Sequence, residues 1–133
     1  MSAAQLQLDH LQPIRISFAT ILPHTENIFE IGIDSHTTVN TGHMRELCDA
    51  LSALGNKIAV IYNQDGDYEF SVGAQQLIGS LPNVITRAVI ARHHNQKLSI
   101  METSINTPFD WIPQLFESRE KALAWLKEEM RGG

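Results

Sequence analysis

The chain has 133 residues, 43% of them hydrophobic and 19% charged, a balance that belongs to a globular domain and excludes a disordered or low-complexity chain. Ten Lys and Arg against fifteen Asp and Glu give a formal charge of −5 with neither sign gathered into a block, which excludes a nucleic-acid binder, since that affinity comes from clustered cations releasing counterions. The single cysteine, Cys48, excludes an internal disulfide; with no secretory leader ahead of it and no apolar run approaching the roughly 18 residues of a membrane span, the expected setting is the cytoplasm.

One domain over 1–133 is expected, with residues 1–12 a polar N-terminal tail. Over 14–21, Ile14, Ile16 and Phe18 alternate with Arg15 and Ser17 up to Pro23, the period of a strand. A polar turn, His24-Thr25-Glu26-Asn27, leads to a second strand over 28–33, close enough to pair as a hairpin. Residues 34–40 are rich in Ser, Thr, His and Asn and read as a loop ending in a helix cap near Asn40 or Thr41. Met44, Leu47, Cys48, Leu51 and Leu54 then recur three and four apart, one stripe of a helix that should stop at Gly55.

Residues 58–62 form a short continuous apolar run with β-branched residues, the pattern of a strand covered on both faces. A turn-rich segment over 63–71 follows, with Ser71 placed to cap a helix carrying Ala74, Leu77, Ile78 and Leu81 that Pro82-Asn83 ends. Residues 84–91 repeat the buried-strand pattern, and Leu98, Met101 and Ile105 mark a third helix. Pro108 and Pro113 bracket the way into a last strand over 114–116, after which Ser118 caps a helix with Ala122, Leu123, Trp125, Leu126 and Met130 on one side. Strands and helices alternating in this order predict an α/β fold, a mixed, mainly parallel five-stranded sheet with an antiparallel N-terminal edge hairpin and about four helices.

The stretch Thr86-Arg87-Ala88-Val89-Ile90-Ala91, and after it Leu115-Phe116-Glu117-Ser118-Arg119-Glu120-Lys121-Ala122-Leu123-Ala124-Trp125-Leu126, resembles the SpoIIAA-like family, which is related to STAS and CRAL-TRIO domains. The resemblance implies a four-helix α/β sandwich, a tendency to dimerise and, for most members, no assigned activity. The sporulation regulators that give the family its name are phosphorylated on a serine of an Asp-Ser pair after the central strand. The corresponding turn here, 63–71, has neither Asp-Ser nor Ser-Gly, and its one serine, Ser71, reads as a cap hydroxyl.

Candidate chemistry is sparse. Asp65, Asp67 and Glu69 bring acids to the carboxyl end of a central strand, where open α/β sheets tend to bind ligands; a solvated turn around Gly66 explains them more simply. Of six histidines, His36 and His43 could approach each other across a loop, and of adjacent His93 and His94, which point opposite ways at a strand end, at most one could join them, so no metal is expected. Cys48 falls on the apolar stripe of its helix and reads as a core thiol. Neither a phosphate-binding glycine loop nor a nucleophile elbow is present. Phe109 and Trp111, between two prolines, form a stiff aromatic loop suited to contact.

These features predict a non-catalytic regulatory or protein-binding module of STAS type, without cofactor or metal and homodimeric, its surface formed by Asp65, Asp67, Tyr68, Ser71, Phe109 and Trp111. Two other readings stand beside it. One is a carrier of a small apolar ligand lined by Met44, Phe70, Met101, Phe109, Trp111 and Met130; the other is an enzyme using the acids of the 63–71 loop.

Overall fold

A computed structural model of the chain describes residues 12–63, 68–78, 83–91 and 114–132. The N-terminal alternation is a hairpin rather than one strand. β1 (Ile14–Arg15) and β2 (Ala19–Pro23) pair antiparallel, Ile14 opposite Ile21, and the Ile16 N–H donates to the Ala19 carbonyl at 2.9 Å across the bend. Alternation persists through the bend because Phe18 turns inward, 4% exposed, with its ring 4.7 Å from that of His43. β3 (Ile28–Ile33) adds antiparallel to β2. Residues 34–40 are not all loop, since Thr37–Val39 forms β4; three residues are too few for a period to show.

α1 (Thr41–Ser52) starts at the expected cap. The Asn40 side chain accepts from the His43 N–H at 2.9 Å, and His43 Nδ1 accepts from the Asn40 N–H at 3.1 Å, a capping box with His in place of the usual acid. The helix ends at Ser52, three residues before Gly55, whose φ of 148° suits glycine alone. Asn83 completes that end from afar, its Nδ2 donating to the Leu51 and Gly55 carbonyls at 2.8 and 2.9 Å. So Asn83, read from the sequence as the stop of a later helix, satisfies two carbonyls at the C-terminal end of this one.

β5 (Ile58–Asn63), β7 (Val84–Ile90) and β8 (Gln114–Phe116) run parallel to β3, giving a mixed sheet in the order β1-β2-β3-β5-β7-β8. The sheet therefore holds six strands, not five. A short β6 (Tyr68–Phe70) pairs parallel with β4 in a separate ribbon. α2 (Val72–Ile78) and α3 (Arg119–Gly132) complete the described helices, three in number; the helix expected around 98–105 lies outside the described residues.

Both faces of the sheet are covered. Phe29, Ile31, Val60, Tyr62 and Val89 pack with Met44, Leu47 and Leu51 of α1 and Ala74 of α2. Ile28, Ala59, Ile61, Ala88 and Ile90 pack with Ala122 and Leu126 of α3. Leu47 and Leu51 are 0% exposed, each contributing about 1.5–3 kcal/mol by its burial. Among the described residues no helix is long and apolar enough to cross a membrane.

Candidate functional site

Two polar constellations stand out, one open and one closed. The open one forms where β3 and β5 end. Beyond β3 the chain turns sharply at His36, the one described non-glycine residue with positive φ, 63°, a conformation that histidine tolerates better than most side chains. The turn delivers β4 alongside β6, with Thr38 opposite Glu69, both exposed. His36, Thr37, Thr38, Tyr68 and Glu69 line a polar pocket of about 280 Å³. The Tyr68 hydroxyl donates to the Asn63 carbonyl at 3.0 Å and its ring meets Phe70 edge-on at 5.7 Å, which ties the ribbon to the end of β5.

Behind the pocket two helices begin side by side. Ser71 caps α2, its Oγ accepting from the Ala74 N–H at 3.1 Å and its carbonyl from the Gln75 N–H at 2.9 Å. A Cβ on Gly73 would lie 2.6 Å from Thr41 Oγ1, so the glycine permits the first turns of α1 and α2 to touch. Of the residues expected to form the partner surface, Tyr68 lines this pocket and Ser71 serves as the cap of α2, while Asp65, Asp67, Phe109 and Trp111 lie outside the described residues.

The closed constellation was not foreseen. Glu30, on the α3 side of β3, is buried at 4% exposure. Its Oε1 accepts from Arg119 Nε at 2.6 Å and His24 Nε2 at 2.8 Å; its Oε2 accepts from Arg119 Nη2 at 2.8 Å and Asn63 Nδ2 at 3.0 Å. Burial alone pushes this carboxyl up, but the hydrogen bonds from Arg119, Asn63 and His24, with the Arg119 charge, outweigh it and hold the group down at about 2. A carboxylate with four donors and so low a proton affinity is an anchor, not a general base. It fastens the start of α3 to β3, β5 and the β2–β3 turn. The sequence did hold a signal, a lone acid between Phe29 and Ile31 in an otherwise apolar strand, which must find a cation if it points inward.

Other singled-out residues have ordinary places. Cys48 is a free thiol packed partly buried against the α1-side core. Met44 and Phe70 belong to that core and Met130 to the opposite one, so the three do not line a single cavity; Met101 lies outside the described residues. Among the described residues no group of three His, Cys, Asp or Glu is placed to hold a metal. Comparison of the chain with protein-family models, curated proteins and solved structures finds no match.

Proposed function

We propose that this domain is a cytoplasmic, non-catalytic binding module of the SpoIIAA-like, STAS-related kind that works as a homodimer and meets a regulatory partner at the β4–β6 corner. The polar pocket at the carboxyl ends of β3 and β5, with His36 held at positive φ on its rim, carries this reading. Carboxyl ends of parallel strands are where open α/β sheets present ligands, because the connecting loops there vary without disturbing the core. A non-glycine residue held at positive φ on such a rim points to use rather than packing. Two threonine hydroxyls, an imidazole and one carboxylate make the lining rich in acceptors, suited to the N–H donors of a protein surface.

The test is a pull-down from the native cells with the wild-type chain, Thr38→Arg and Glu69→Lys, both at exposed positions, and Lys127→Glu as a distant control. A partner held by the wild type and the control but lost from both corner variants, with circular dichroism unchanged, is the expected result. Identical captures by all four proteins would refute the corner as the contact surface.

A further inference from the structure

The geometry points to Arg87 as the receptor for one oxyanion, a carboxylate or phosphoryl group of a small-molecule ligand, bound on the helix-covered face of the sheet. This site is separate from the β4–β6 corner. Arg87 stands in the middle of β7 opposite Val60 of β5 and two residues before Val89, both of them buried in the α1-side core. The strand register therefore lays the Arg87 side chain, itself part-buried, along a mostly apolar layer that also holds the Tyr62 phenol.

Its Nε is shielded from solvent and has no acceptor among the described residues. The Tyr62 phenol, buried on the same face, interacts electrostatically with Arg87 and with Cys48 of α1. Burial lowers the proton affinity of Arg87, yet a guanidinium stays protonated in proteins, so the site keeps its positive charge. Tyr62 is pushed up to about 12, chiefly by burial, and so keeps its proton too. The surroundings thus present cation and O–H, with no described carboxylate to neutralise them.

Arg119 presents the contrasting case. That guanidinium also reaches the interior, and there the fold supplies Glu30, engaged through two nitrogens. A part-buried cation with a shielded Nε and no anion among the described residues gives up part of its hydration without return. Bidentate oxyanions match the guanidinium fork in shape as well as charge. The apolar walls strengthen the attraction by lowering the local dielectric.

The experiment uses the full chain labelled with ¹⁵N, following arginine Nε–H signals while inorganic phosphate and, separately, acetate are added at constant ionic strength. Arg87→Met identifies the Arg87 signal by its disappearance. The expected result is a saturable shift of Arg87 with at least one anion, absent for the exposed Arg45, and a phosphate- or acetate-dependent rise in melting temperature that Arg87→Met abolishes. Arg87→Lys should bind about tenfold more weakly, keeping the charge but losing the fork. Response to phosphate alone assigns a phosphoryl ligand, and response to acetate alone a carboxylate. An Arg87 signal that moves with neither anion, or only in step with Arg45, overturns the inference, as does an unchanged melting response in Arg87→Met.

Discussion

Replacing Glu30 by Gln keeps the shape of the side chain and removes its charge, which isolates the electrostatic part of the α3 anchor. The carboxyl falls from 4.5 to about 2 on folding, and at about 1.4 kcal/mol for each tenfold change in proton affinity this bounds the contribution at about 3 kcal/mol. The Arg119 side chain is 42% exposed, and water screens its half of the pair, bringing the expected loss in Glu30→Gln to about 2 kcal/mol near neutral pH. Because the folded carboxyl binds its proton less tightly than the unfolded one, the stabilisation is complete above the unfolded value of 4.5 and drains away as pH falls through about 2. Urea unfolding of both proteins, followed by far-ultraviolet circular dichroism at a series of pH values, reads this directly. The gap between parent and variant should be widest at neutral pH and narrow steadily below about pH 5. A gap that stays constant into acid, or a variant as stable as the parent at neutral pH, refutes the account of Glu30 as a charged anchor.

Asn83→Ala should cost about 1–3 kcal/mol, because it strips the Leu51 and Gly55 carbonyls of their shared donor at a buried position; denaturant melts check the size, and hydrogen exchange should speed up at the last turn of α1. Gly73→Ala should cost about 1–3 kcal/mol by pushing a methyl against Thr41 Oγ1. In a Thr41→Ala background the same change should be close to neutral, alanine being the better helix former, and an equal loss in both backgrounds would show that the clash is not the cause.

Much of the fold was legible because its signals are local. Asn40, Ser71 and Ser118 each precede an apolar stripe and each caps a helix, Ser118 through its Oγ to the Lys121 N–H and its carbonyl to the Ala122 N–H. The run at 58–62 has no polar face because α1 and α2 cover one side and α3 the other. What escaped were features without a local period. The bend at 16–18 leaves the alternation intact, so one strand and a hairpin look alike until Ile14 is seen opposite Ile21. β4 and β6 are three residues each and lie about thirty residues apart, and neither has meaning without the other.

The closed anchor shows why chemistry was harder to read than architecture. Glu30 draws its donors from positions 6, 33 and 89 residues away, and nothing in those spacings distinguishes a partner from any other Arg, Asn or His. Strand parity supplies the missing constraint. Glu30 shares its face with Ile28, which packs under α3, so a cation had to come from α3 or its approach, and Arg119 at the first position of that helix is the residue within reach. Applied to β7, the same parity sets Arg87 with Val89 on the other face, beneath α1 and α2. There the described elements offer a phenol and a thiol but no acid. One sheet thus sets a part-buried guanidinium on each side. Arg119, which docks a helix, is closed by the chain's own Glu30 carboxylate, which suits a contact that must hold at all times; Arg87 has no anion among the described residues, which suits a contact made when a ligand arrives.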